Sequence, residues 1–156
     1  KLQTMAKRRS PRRLWWRWRR AQFHTENIRT SAHSSAAREK NRISVFISGS
    51  DYTNETSKII KKLKIINKNK RYNLDIIVGG LNANYQEILE LCTEEYFNIH
   101  YNIDNIEDIF NKSYISIGAL GQSLLERIAL KIPSIVISLS KNQLLVSKEL
   151  IDSGCF

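Results

Sequence analysis

Cysteine and proline are scarce in this sequence, with two residues of each among 156. The two thiols, Cys92 and Cys155, are too few for a disulfide framework and lack the spacing of a zinc site, which favours a reducing, cytoplasmic environment. Long hydrophobic runs are also missing, since no apolar stretch approaches the roughly 20 residues that a membrane-spanning helix needs. The composition therefore predicts one soluble domain with a core of its own.

Acidic residues are nearly absent from the first part of the chain. Residues 1–42 carry ten Arg and three Lys against Glu26 and Glu39, a net charge of +11, whereas residues 43–156 carry a net charge of −1. The amino-acid composition changes at the same point, from a segment rich in Arg, Ser, Ala and Trp to one rich in Ile, Lys and Asn. We therefore expect a basic tail or linker over residues 1–42, disordered or vector-derived, and an α/β domain over residues 43–156.

The basic tail (residues 1–42) leaves three functional interpretations open beside a vector-derived origin. Its segment RRSPRRLWWRWRR places Trp15, Trp16 and Trp18 among arginines. Indole and guanidinium groups favour the headgroup region of an anionic membrane, and the same groups bind nucleic acid through phosphate contacts and stacking. An Arg-rich and Ser-rich segment with no acidic residue before Glu26 is also typical of an organelle transit peptide.

From residue 43 onward, short β-branched runs alternate with amphipathic stretches. The pattern predicts strands at 43–48, 74–78, 97–101, 114–117 and 135–139, and helices at 55–67, 85–92, 103–110, between 118 and Pro133, and at 142–151. In the fourth helix, the apolar stripe that should cover the sheet is Leu125, Ile128, Ala129 and Ile132. Five strands interleaved with helices predict an α/β fold with a mainly parallel, doubly wound, Rossmann-like sheet. Ligands of such sheets bind at the carboxyl ends of the strands.

Two glycine-containing turns follow predicted strands at that edge. In the first turn, Gly49, Ser50 and Asp51 either offer amides and a hydroxyl to a phosphate or cap the next helix, and the sequence leaves both roles open. In the second turn, Gly118 and Gly121 precede a helix whose amide dipoles suit a phosphate. A glycine pair can equally serve only to turn the chain.

Three other residues that attract attention are interpreted as structural. Gly79 and Gly80 follow a predicted strand but lead into an ordinary turn. His100 ends an apolar strand without a Ser or Cys partner nearby, which favours a satisfied structural histidine. The sequence matches no zinc site, Walker loop or dinucleotide fingerprint, so neither a metal nor a cofactor is predicted.

Three segments, in this order, resemble a known family. They are ISGSD after the first strand, NIDNIEDIFNKSYISIGALGQSLLE leading into the second glycine turn, and ALKIPSIVISLSKNQ after it. Together they resemble the carboxyl-terminal half of the GT-B-type UDP-sugar hydrolases of the pseudaminic acid pathway, which act on UDP-2,4-diacetamido-2,4,6-trideoxy-β-L-altropyranose. The resemblance covers most of residues 43–156 and implies a nucleotide-sugar-binding half domain.

The resemblance also implies roles for particular residues. Gly121, Gln122 and Ser123 would face the diphosphate of UDP, and Glu126 would accept hydrogen bonds from the ribose hydroxyls. Asn142 and Gln143 would lie near the sugar.

At two positions the sequence departs from the family. Leu120 stands in place of a further glycine, and Gln122 stands in place of a small hydroxyl residue, so either side chain would narrow the phosphate seat. The family's amino-terminal Rossmann half, with the histidine thought to activate water, has no counterpart in these residues, and the sequence stops at Phe156 before the usual closing helices. We therefore expect recognition of a UDP-sugar without turnover.

Two alternative functions stay open at this point. A glycosyltransferase half domain of the same fold would use an acceptor in place of water. A non-catalytic scaffold would leave binding of nucleic acid or of an anionic membrane to the basic tail.

Overall fold

The computed structural model describes residues 38–140 and 143. The basic tail up to residue 37 and most of the predicted last helix, including Asn142, lie outside the described residues. The elements are β1 (Glu39–Phe46), α1 (Glu55–Ile66), β2 (Asn73–Val78), α2 (Tyr85–Leu91), β3 (Phe97–Tyr101), α3 (Glu107–Lys112), β4 (Ser113–Ala119), α4 (Gln122–Ala129) and β5 (Ser134–Ile137).

The five strands form one sheet in the order β3-β2-β1-β4-β5, and every neighbouring pair is parallel. The prediction of an α/β fold with a parallel, doubly wound sheet is confirmed. Strands β2 and β3 lie on one side of β1, and the chain then crosses to the other side of β1, where β4 and β5 lie. The strand order therefore reverses between β1 and β4, which is where ligands of open α/β sheets bind.

Two separate cores cover the two faces of the sheet. On one face, Ile60 and Leu63 of α1 and Ile88 of α2 pack against strand residues such as Val45 and Ile76. On the other face, Phe110 of α3 packs with Ile77, Leu130 and Ile132. Full burial of an aliphatic or phenyl side chain stabilises a fold by roughly 1.5–3 kcal/mol. Packing of this kind, more than local propensity, explains how a helix as short as α3 is stable.

Two elements begin at places that the sequence pattern did not predict. Strand β1 begins at Glu39, four residues before the predicted start, and Arg42 within it bonds the carboxylate of Asp75 on β2 at 2.9 Å. Helix α3 begins at Glu107 rather than residue 103, and Ile103 and Ile106 pack against the core from the segment before it.

The predicted apolar stripe of α4 is wrong for Leu125, Ile128 and Ala129, whereas Ile132, which follows the helix, is buried in the core as predicted. Ser123, Leu124 and Arg127 are the buried residues of the helix, while Leu125 and Ile128 are only half-buried. A pattern based on apolar residues misses this face because it contains an arginine. None of the helices in the described part of the chain is long and apolar enough to cross a membrane.

Candidate functional site

Two loops meet at the carboxyl edge of the sheet, one on each side of the switch point. The β1–α1 loop follows Phe46, and the β4–α4 turn follows Ala119. Phe46 and Gly118 are register partners in the β1–β4 ladder, so both loops leave the sheet at nearly the same level. These are the two turns that the sequence analysis selected, and the fold places them next to each other.

The carboxylate of Asp51 fills the amino end of α1. It accepts hydrogen bonds from the amides of Glu55 and Thr56, at 3.0 and 2.9 Å, while the amide of Asp51 donates to Ser48 Oγ at 2.8 Å. The first amides of a helix lack intrahelical acceptors, and Asp51, which is buried, satisfies two of them. Of the two roles left open for Asp51, the geometry shows that its carboxylate caps helix α1. A phosphate approaching α1 would meet a carboxylate.

Gly49 and Ser50, the other two predicted site residues of the β1–α1 loop, lie beside this occupied helix end. Gly49 is exposed, and its carbonyl accepts a hydrogen bond from the amide of Leu81 at 3.2 Å, which joins this loop to the β2–α2 loop. Ser50 is half-buried beside Asp51. Both residues flank a helix end that is already occupied, so we assign them no ligand contact.

The amino end of α4, in contrast, is open. Gly121 is its N-cap residue, and no side chain caps the helix there. Gly121 and Gln122 are both exposed, and a methyl group placed on Gly121 would meet no atom within 4 Å beyond its chain neighbours. The first amides of α4 and the positive end of its dipole are therefore accessible to an anion.

Leu120, which was expected to narrow this seat, is buried. Its amide donates to the carbonyl of Ile137 at 3.1 Å and so continues the β4–β5 ladder by one residue. The turn between strand and helix is thereby anchored on the β5 side.

A fully buried arginine lies beneath the turn. Arg127 Nη2 donates to the carbonyl of Ala119 at 2.8 Å, and Nε donates to the carbonyl of Ser123 at 3.2 Å. Desolvation by burial lowers the pKa of Arg127 to about 10, partly opposed by the charge of Glu126, so the guanidinium remains charged at neutral pH. Its Nη1 has no hydrogen-bond partner in the described part of the structure.

Gly118 makes room for this guanidinium. A Cβ atom on Gly118 would lie 2.4 Å from the carbonyl oxygen of Phe46 and 2.8 Å from Nη1 of Arg127. Any larger residue would push β4 from β1 or expel the arginine. Gly118 is itself buried and does not face a ligand. Its role is to leave space for the side chain of Arg127.

The remaining predicted site residues are divided between two places. Ser123 and Glu126 belong to α4, where Ser123 is buried and Glu126 is half-buried, one turn after Gln122 on the same helical side. Gln143 lies after β5, where its side-chain oxygen accepts a hydrogen bond from the amide of Leu139 at 2.7 Å. Asn142 lies outside the described residues.

Sequence reasoning missed Arg127, although a signal was present. Only two arginines occur in residues 43–156, Arg71 and Arg127, and Arg127 lies four residues after Ser123 in a predicted helix. That spacing puts its side chain on the same face as the residues closest to the turn. Nothing local in the sequence indicated that this face is buried.

An ionic cluster away from the β4–α4 turn joins β1, β2 and β3. The buried carboxylate of Asp75 accepts hydrogen bonds from Nη1 of Arg42, at 2.9 and 3.1 Å, and lies 2.9 Å from Nε2 of His100. This contact accounts for His100 as a structural residue. The cluster connects strands rather than lining the β4–α4 turn.

The chain offers few other reactive groups in its described part. Burial raises the pKa of the Cys92 thiol to about 12, so this thiol stays protonated near neutral pH. Over residues 38–140 and 143, His, Cys, Asp and Glu side chains nowhere gather in threes that could hold a metal ion.

No protein-family model matches this sequence, and no curated protein matches it. The geometry of the β4–α4 turn therefore carries the functional argument.

Proposed function

We propose that this domain binds the diphosphate of a UDP-sugar at the β4–α4 turn. In this proposal it forms part of a cytoplasmic hydrolase that cleaves a nucleotide-linked amino sugar and releases UDP in nonulosonic (pseudaminic) acid biosynthesis. The observation that supports it best is the contrast between the two helix ends at the switch point. The end of α1 is filled by the carboxylate of Asp51, whereas the end of α4 is exposed, uncapped and backed by a buried cation.

The proposed chemistry assigns one part of the reaction to these residues. Water would attack the anomeric carbon of the sugar as the bond to the diphosphate breaks, and negative charge would develop on the departing UDP. Amide groups and a helix dipole that already point at the leaving group stabilise such charge without reorganising. We assign no general base for the water to the described residues.

The proposal can be tested by titrating the isotopically labelled full chain with UDP and following backbone amide signals by NMR. We expect chemical-shift changes at residues 118–126, because the ligand's phosphates would accept hydrogen bonds from the first amides of α4. Residues 49–55 serve as an internal control, since Asp51 occupies the end of α1. Uridine, which has the base and ribose but no phosphate, is the matched ligand and should leave the amide signals of Gly121, Gln122 and Ser123 unchanged, even if its ribose contacts Glu126. The absence of any response at millimolar UDP would refute the proposal.

Replacement of Glu126 by alanine should weaken UDP binding by about 10- to 150-fold, because hydrogen bonds to a charged group contribute about 1.5–3 kcal/mol. The lost interaction would be that of the carboxylate with the ribose hydroxyls. Isothermal titration calorimetry measures the affinity, and circular dichroism of the ligand-free variant checks that it is folded.

The matched control for this change is Glu90→Ala, which removes an exposed carboxylate from α2. Inorganic pyrophosphate gives a second control, since it has no ribose and should bind Glu126→Ala at least as tightly as it binds the parent. Equal UDP affinity of the parent and of Glu126→Ala would show that Glu126 has no ribose role.

A further inference from the structure

The guanidinium of Arg127 is a buried charge that has no carboxylate within ion-pair distance among the described residues, although the charge of Glu126 acts on it from further away. The side chain is fully buried, and none of the ion pairs between described residues includes it. Two of its nitrogen atoms donate to backbone carbonyls, and Nη1 donates to no described acceptor. Transfer of a charged group out of water is costly unless it is paired with an opposite charge.

The position of this charge relates it to the open turn. The two carbonyls that it bonds belong to Ala119 and Ser123, which lie two residues before and two residues after Gly121. The planar guanidinium thus spans the turn from below and holds both of its ends, and a fork of donors is the geometry for which arginine is suited. The amides of Gly121, Gln122 and Ser123 lie in the chain between these two carbonyls, and they are the amides that an anion would approach.

We propose that Arg127 is a positioning residue of the anion seat, which orients the amides of the β4–α4 turn and supplies the buried positive charge that a bound phosphoryl group neutralises. The inference rests on the proposed function for the place of the ligand, but it names a residue and a source of affinity beyond it. Because the interior screens charge less than water does, a cation behind the turn raises the affinity for an anion in front of it even without direct contact.

Inorganic pyrophosphate is the probe for this inference, because it carries the charge without the nucleoside. We expect Arg127→Met to bind pyrophosphate at least about tenfold more weakly than the parent chain, which corresponds to about 1.4 kcal/mol. Arg127→Lys keeps the charge but cannot bond both carbonyls as a planar fork, and we expect it to fall between the two. The measurement is calorimetric titration of the full chain at one fixed salt concentration.

Arg71→Met is the matched control. Arg71 is the other arginine in residues 43–156, it is exposed, and its guanidinium lies 5.6 Å from the centre of the Tyr72 ring. This variant removes the same charge from the domain surface and should bind pyrophosphate as the parent does. If Arg71→Met and Arg127→Met lost affinity equally, net charge alone would explain the result and the inference would be overturned.

A measurement on the parent chain separates positioning from a merely structural role. On addition of pyrophosphate, the side-chain Nε–H signal of Arg127 should shift while that of Arg71 stays unchanged. If Arg127→Met does not fold, this signal and the affinity of Arg127→Lys decide the question. An unmoved Arg127 signal, or full affinity in Arg127→Lys, would overturn the inference.

The two proposals fail in distinguishable ways. A parent chain that binds UDP while Arg127→Met retains full affinity for pyrophosphate would refute the role of Arg127 and leave the proposed function standing. A parent chain that binds pyrophosphate through Arg127 and binds UDP no better would support the anion seat and refute the nucleotide. A parent chain that binds neither ligand would refute both.

Discussion

Replacement of Gly79 by alanine is expected to destabilise the domain by about 3 kcal/mol or more, at the upper end of what overpacking usually costs. The added Cβ would lie 2.3 Å from the carbonyl oxygen and 2.4 Å from the Cα atom of Gly49. Both neighbours are backbone atoms, so no change of side-chain rotamer relieves the overlap. The two loops would have to separate, which would break the hydrogen bond from the amide of Leu81 to the carbonyl of Gly49. Urea denaturation followed by circular dichroism measures the loss.

Gly49→Ala is the matched control, because it adds a methyl group to the other partner of the same contact. That methyl group would meet no atom within 4 Å beyond its chain neighbours. Its effect on the free energy of unfolding should stay within about 1 kcal/mol, the range usual for exposed glycines and for surface changes. Similar losses in the two variants would contradict the close approach of the two loops.

Asp75→Asn is expected to lower the free energy of unfolding by about 3 kcal/mol, because it removes the buried anion that pairs with Arg42. The side chain of Asp75 is 1% exposed, and that of Arg42 is 22% exposed. We expect the lower end of the usual range because Arg42 keeps its contact with Glu39 at 2.9 Å. An asparagine would also direct an N–H₂ group toward the donors of Arg42 and His100, or leave one of them without an acceptor.

The control for this variant is Asp104→Asn, at an exposed position, which should change stability little. A double-mutant cycle with Arg42→Met isolates the pair. Once Asp75 has become asparagine, the loss of Arg42 should cost less than it costs in the parent, by about 1–3 kcal/mol. Strict additivity of the two changes would show that the observed contact contributes nothing to stability.

Most of the fold was predictable from local patterns. The strands β2 and β3 lie within one residue of their predicted bounds, and α1 begins where the charged and apolar residues predicted it. These elements have the simplest signals, which are short β-branched runs for the strands and an apolar face with lysines elsewhere for α1. Alternation of such elements along the chain implies a parallel sheet, whatever their exact ends.

Two of the wrong predictions concern segments in which charged side chains are buried or paired with a buried group. Strand β1 extends back to Glu39, and Arg42 within it bonds the buried carboxylate of Asp75. The sequence analysis assigned residues 39–42 to the basic tail because of their charged composition. The face of α4 was misassigned because Arg127 is buried in place of an apolar residue. A hydrophobicity pattern can recognise neither case, since both depend on a partner that is distant in the sequence.

The candidate site, too, was predictable from the sequence only in part. Spacing alone placed Gln122 and Glu126 on one side of a helix and both glycine turns at one edge of the sheet. It could not tell which turn is open, because that depends on the direction of the Asp51 carboxylate and on the exposure of Gly121.

The amino-acid sequence by itself determined the order of strands and helices, because the periodicities that encode them are read over a few neighbouring residues. Only the tertiary structure decided that Arg127 lies buried beneath the β4–α4 turn, between Gly118 and the end of β1. That placement depends on the pairing of β1 with β4 and on the absence of a side chain at Gly118. Contacts between segments so far apart in the chain are set by packing, and no local pattern carries them.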